Sequence, residues 1–213
     1  MAAGDPTFEG PTRERLVQAA MYLFWAEGYQ TTPISRILEV AGANPGSLYH
    51  YFATKEELLI AVLDAYIDGI GPNLLDPAWE GVDDPVERVF TLLAQYRKGL
   101  ELTGMTYGCP IGNLALEMSD PPAPVRERLA KNFEQWIDAV EGCLVAARDR
   151  FPAGADLRAL SVHVLTTMEG AVMQARTARD LAPFDASIAA LRHYFDLLHA
   201  AAGRAEPSTG DAS

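Results

Sequence analysis

Apolar residues along this chain recur at spacings of three and four, the rhythm of helices with one inward face, and no convincing two-residue alternation of a strand interrupts them. Val86, Val89, Phe90, Leu93, Tyr96 and Leu100 mark a helix opened by Asp84 and Pro85. Val125, Leu129, Phe133, Trp136, Val140 and Leu144 mark a longer one after the loop PPAP, and Leu157, Leu160, Val164, Met168, Ala171 and Ala175 another, capped by Asp156. Phe184, Ile188, Leu191, Phe195 and Leu198 mark the last. The 14 prolines fall in loops or first helical turns, where a missing N–H costs little, and leave long proline-free windows between them. The pattern predicts an all-α chain, with about five helices behind a head of about four.

The densest signals lie in TTPISRILEVAGANPGSLYHYFATKEELL, Thr31 to Leu59. Thr32 is placed to cap a helix opening at Pro33 whose apolar stripe is Ile34, Ile37 and Leu38, and Gly42 ends it. Asn44 is placed to cap the next helix, with Pro45 at its first position. Leu48 and Phe52, four apart, must turn inward, which leaves Ser47, Tyr49, His50 and Tyr51 to point elsewhere. Thr54 with Glu57 forms a capping box for a helix carrying Leu58, Leu59, Val62 and Leu63. Two short helices joined by so tight a turn read as a helix-turn-helix.

The run AGANPGSLYHYFATKEELL resembles the N-terminal domain of the tetracycline-repressor (TetR) family of transcriptional regulators, whose usual form is close to AGVSKGSLYHYFPSKEEL. The likeness extends upstream through Leu16, Ala20, Leu23, Phe24 and Gly28, and covers about Arg13 to Leu63. GCPIGNLALEMSD, residues 108–120, resembles a segment of the family's ligand domains. Three positions depart from the usual pattern: Leu38 for a common Ala, Ala43 for a common Val, and Pro45 for a common Lys, which removes one cation from the DNA face. The resemblance implies a three-helix DNA-binding domain, then a larger helical domain for ligand binding and dimerisation. The expected organisation is a mobile segment at 1–11, the DNA-binding domain at 12–58, the larger domain at 59–202 and a disordered tail at 203–213.

Thr32, Asn44, Gly46, Ser47, Tyr49, His50 and Lys55 make up the expected DNA face. The turn at Asn44 offers free N–H groups at a positive helix end, Gly46 permits close backbone approach, and Ser47 and His50 are placed for base edges. The resemblance assigns Tyr49 and Lys55 to phosphate.

Charge qualifies this picture. The net charge is −12, but residues 1–55 carry four cations (Arg13, Arg15, Arg36 and Lys55) against five carboxylates, so the acidity lies mainly in the body. A near-neutral head attracts phosphate weakly, which makes binding as a dimer more necessary. Two cysteines, no apolar N-terminal run and no stretch read as long enough for a bilayer predict a cytoplasmic protein with no membrane association.

In the body, Tyr96, Met105, Tyr107, Ile111, Asn113, Phe133, Trp136, Val140 and Met168 are candidates to line a site for a small, largely apolar effector, and an ordinary helical core is the competing reading of the same stripe. Gly170, Met173, Leu191, Tyr194, Phe195 and Leu198, on the last two long helices, are expected at a homodimer interface. Cys109, before Pro110, is placed at a helix N-cap, where a thiol is acidified; a small buried hydrophobe is the alternative, as for Cys143. His163 reads as a core histidine or a polar group of the pocket. No zinc spacing or cofactor motif is present, and a Cys109–histidine enzyme lacks an orienting third group. The sequence thus predicts a ligand-responsive homodimeric repressor of a palindromic operator. An activator, a ligand-independent regulator, or a helical interaction module without strong DNA binding remains open.

Overall fold

The computed structural model describes residues 5–204, and among them every regular element is helical. In chain order these are α1 (Thr12–Glu27), α2 (Ile34–Ala41), α3 (Pro45–Tyr51), α4 (Lys55–Ile70), α5 (Asp76–Trp79), α6 (Pro85–Leu102), α7 (Pro110–Glu117), α8 (Ala123–Ala146), α9 (Leu157–Ala178) and α10 (Ala182–Arg204). A π-helical turn, Gly71–Leu75, links α4 to α5, and Pro72 within it has no N–H to continue the α ladder.

The helices form two compact units. The first holds the chain up to Gly71 together with Tyr107–Gln135, so α7 and the first half of α8 join α1 to α4. Its core gathers Leu16, Leu23 and Phe24 of α1, Ile37 of α2, Leu48 of α3, Leu58, Leu59 and Leu63 of α4, and Ile111, Leu114, Val125 and Leu129 from the returning segment. Two polar ties fix that return. Arg128 donates to Asp64 at 2.8 Å, and the buried amide of Asn132 donates to the Leu63 carbonyl at 3.2 Å. This compact unit thus extends beyond residue 58 through partners more than 60 positions apart, which leave no trace in a local pattern.

The second unit holds Pro72–Thr106 and the chain from Trp136 on. Phe195 is its centre, with ring centroids 5.3 Å from Phe90 and 5.9 Å from Phe151. Forked ion pairs surround this core: Arg192 on Glu87 at 2.6 and 2.9 Å, and Arg97 on Asp185 at 2.7 and 2.9 Å. Asp84 caps α6 through the Val86 and Glu87 amides while accepting from Arg150. Asp84, Glu87 and Asp185 are thereby each paired with an arginine.

Near the N-terminus, the described residues are tied to the fold. Asp5 pairs with Arg36 at 2.7 Å and Phe8 packs on the first core, so residues 5–11 are anchored; residues 1–4 lie outside the described ones. Helix α10 runs through Gly203 to Arg204, and the rest of the expected tail lies outside the described residues. The helical run Lys55–Trp79 is long and apolar enough to cross a membrane by composition, with a mean hydropathy of 1.4. Within it, Leu58, Leu59, Val62, Leu63 and Ile67 of α4 are buried.

Candidate nucleic-acid interface

Helix α3 is fixed at both ends by its own sequence. The Asn44 side chain accepts from the Ser47 amide at 2.9 Å and from the Ser47 hydroxyl at 3.2 Å, and Pro45 supplies the preset first turn. A Cβ at Gly46 would sit 3.3 Å from the same Asn44 oxygen, so the cap favours glycine there. Gly42, in the left-handed conformation at φ 58°, ends α2, and its amide and that of Ala43 return to carbonyls of α2. Arg15 adds three donors, to the carbonyls of Gly10, Ala41 and Gly42. Beyond α3, Thr54 accepts from the Glu57 amide while the Glu57 carboxylate accepts from Ala53, one residue ahead of the usual capping-box target.

With Leu48 fully buried and Phe52 nearly so, the opposite side of α3 faces outward. Tyr49 is 60% exposed, His50 is exposed, and Tyr51 stands edge-on to His50 with centroids 4.8 Å apart. Tyr49 thus presents a free phenol, as expected. Ser47 is half-buried with its hydroxyl engaged by the cap, so its first role is local.

Two expected contacts are corrected. Thr32 is fully buried and caps nothing: its hydroxyl donates back to the Gly28 carbonyl at 2.6 Å, and α2 begins at Ile34 without a side-chain cap. A threonine four residues after a free carbonyl can satisfy its hydroxyl there, and that option outcompetes the cap. Lys55 is half-buried and turned inward. Its ammonium donates to the Tyr29 carbonyl and lies 4.4 Å from the centroid of the Tyr29 ring. Burial pulls its pKa below the ordinary lysine value, with the Glu117 carboxylate acting the other way.

Glu117 is a residue the sequence reading missed. From the last turn of α7 its two oxygens accept from the amides of Tyr29 at 2.9 Å and Gln30 at 2.6 Å, in the turn between α1 and α2. Gly28, at φ 91°, makes room: a Cβ there would fall 3.3 Å from a Glu117 oxygen. Trp25 donates to the Gly108 carbonyl at 2.6 Å and its ring lies 4.6 Å from that of Tyr107. An anion at a helix C-terminus is locally unfavourable, and that inconsistency was the available signal.

The expected effector residues divide. Tyr107, Ile111, Asn113 and Phe133 belong to the first unit, where Ile111 is in the core and Phe133 packs against it. Tyr96, Met105, Trp136, Val140 and Met168 belong to the second. Trp136 is buried beside Tyr96, and its indole N–H has no partner among the described residues. A solvent-open groove of about 600 Å³ in this unit is lined by Pro72, Asp76, Pro77, Trp79, Glu80 and Arg88, none of them expected.

Of the expected dimer residues, Leu191 and Phe195 are buried within the subunit core and are not available to a partner, whereas Met173 and Tyr194 are exposed and Gly170 and Leu198 half-buried. Val162 and Leu197, which were not anticipated, are exposed as well. His163 is exposed beside Tyr194 and is not a core histidine. Cys109 does hold the N-cap of α7 but is buried, as is Cys143, whose thiol burial pushes up.

Residues 16–62 match the bacterial regulatory proteins of the tetR family, and residues 85–190 match the C-terminal domain of LmrA/YxaF-like transcriptional regulators. An HTH-type transcriptional regulator of Mycobacterium tuberculosis is 34% identical over 83% of this chain and 90% of its own length. The regulator LmrA of Bacillus subtilis is 29% identical over 82% and 91%. Among solved structures, the regulatory protein TetR from Rhodobacter sphaeroides superposes with a TM-score of 0.76 at 26% identity, covering 84% of this chain and 96% of that one. These likenesses concern regulators and not enzymes, and they span both the capped helix-turn-helix and the helical body. The chain belongs to the TetR family of DNA-binding transcriptional regulators.

Proposed function

We propose that the protein is a cytoplasmic homodimeric repressor that seats two copies of α3 in successive major grooves of a palindromic operator and is released by a small, largely apolar effector. The observation that carries the DNA half is α3 itself: a capped seven-residue helix with Leu48 locked inward and Tyr49 and His50 exposed on the opposite side. Dimerisation is supported by Val162 and Met173 of α9 and Tyr194 and Leu197 of α10, large apolar side chains left exposed on two helices packed against each other. A two-fold pair would place the recognition helices about 34–36 Å apart. Effector binding is supported by the Trp136 N–H, a buried donor beside Tyr96 with no partner among the described residues, which a ligand acceptor would satisfy. The Glu117 bonds to Tyr29 and Gln30 give a route by which a shift of α7 would reach the start of α2.

Selection of random duplex DNA by the purified protein at moderate salt tests the proposal. An enriched palindrome with half-sites one helical turn apart is the expected result, and the selected duplex then serves to screen apolar compounds for release. Absence of enrichment even at low salt would overturn it. That outcome would favour an interaction module, a reading supported by the inward commitment of Arg15, Arg36 and Lys55.

A further inference from the structure

Four cations lie among the described residues up to Lys55, and three are already spent on the fold. Arg15 donates to three carbonyls, Arg36 is shared among Asp5, Glu39 and Glu27 at 2.7, 3.0 and 3.6 Å, and the Lys55 ammonium donates to the Tyr29 carbonyl. Arg13 differs. It is exposed in the first turn of α1, and its guanidinium lies over the ring of Phe52, 5.4 Å from the centroid, with no hydrogen bond or ion pair among the described residues.

A guanidinium held over a ring keeps its N–H edge unspent, and that planar fork matches two phosphate oxygens. The ring it rests on sets its place. Phe52 is the residue that ends α3, so Arg13 marks the C-terminal end of the recognition helix, beside the exposed Tyr51. A seven-residue helix is only about 10 Å long, and the major groove is about 12 Å wide. With the first turn of α3 at the base edges, its other end is still within reach of the phosphates that wall the groove.

We propose that Arg13 is a phosphate-binding residue of the operator complex, held by Phe52 at the C-terminal end of α3. The inference rests on the DNA-reading function proposed above. It names the cation that a near-neutral head, lacking the usual lysine at Pro45, brings to the duplex. A phosphate contact fixes register without reading sequence, so Arg13 strengthens binding to every duplex the protein accepts.

The test is a titration of the selected duplex across a salt series with the wild type, R13Q, R13K and, as a control distant in sequence, R97Q. R13Q is expected to weaken binding roughly tenfold at low salt, to the same extent on the selected duplex and on single-base variants, and to lower the salt slope by about one. R13K should restore the slope and part of the affinity, and R97Q should match the wild type. A wild-type salt slope in R13Q overturns the assignment, even if its affinity falls, because a misfolded head loses active protein without losing an ion from the complex. Failure of the wild type to select any duplex would instead overturn the DNA reading, and Arg13 with it.

Discussion

Helix α3 and the pair α9 and α10 each leave aromatic side chains exposed, but the exposed face is set locally in the first and by the packing of the subunit core in the second. In α3 the exposed side follows from local chemistry: Asn44 and Pro45 start the helix, the turn back at Phe52 ends it, and Leu48 has one direction in which to be buried. In α10 the strongest apolar stripe, Leu191 and Phe195, is the one the subunit keeps for itself, and the exposed face falls on Tyr194 and Leu197. A hydrophobic period locates a buried face but not the body it is buried against, so an interface carried by neighbouring positions is hidden under the core.

The largest effects should separate those two faces of α10. Phe195→Ala opens a cavity beside Phe90 and Phe151 and is expected to cost about 3–5 kcal/mol in urea unfolding. Tyr194→Ala should leave subunit secondary structure intact and weaken self-association in sedimentation. If Tyr194→Ala destabilises the subunit as much as Phe195→Ala does at matched association state, the division between core and interface is wrong.

Next in size is Glu117→Ala, which removes the acceptor of two backbone amides and should cost about 2 kcal/mol. Hydrogen exchange resolved at Tyr29 and Gln30, in the turn before α2, should speed up ahead of α2 itself, and unchanged protection there would discount this contact. Asn44→Ala should cost about 1 kcal/mol through loss of the α3 cap, with operator affinity falling alongside. A loss of affinity with no change in melting would mean that Asn44 acts on DNA and not on the helix.

These positions also mark where legibility ended. Asn44, Gly42 and Thr54 were readable because each cap joins residues two to four apart. Lys55 was not, since its partner Tyr29 lies 26 positions away and a lysine at a helix start looks solvent-bound in any local window. Tyr107, Ile111, Asn113 and Phe133 were assigned to the body because nothing local shows α7 and the first half of α8 joining the head. Thr32 failed for the opposite reason: two local options competed, and the backward bond to Gly28 won.

Acid should produce the smallest and most gradual effect, and it should act on the second unit first. Burial, followed by the nearby Arg150, holds the His199 pKa below its ordinary value, so protonation favours the unfolded chain and stability declines as pH falls below about 6.5. Glu87 and Asp185 are held below the usual carboxylate range by hydrogen bonds from Arg192 and Arg97, and Asp84 by the Glu87 amide it caps. Their contribution is complete above the unfolded values near about 4 and is lost as pH falls through the folded ones. Melting followed from pH 7 to 3 should show both stages; a melting temperature that rises between pH 6.5 and 5 would contradict the sign given to His199.

Tyr49 and His50, on the outward side of α3, are the side chains on which DNA reading depends most directly. The deciding measurement is a titration of the selected duplex, at one moderate salt concentration, with the wild type and with the double variant Tyr49→Ala, His50→Ala, each also melted in the absence of DNA. Because both side chains are exposed, melting should be unchanged while affinity falls by at least about 100-fold, as loss of one phosphate and one base contact implies. Equal affinities for the two proteins would contradict the account at its centre.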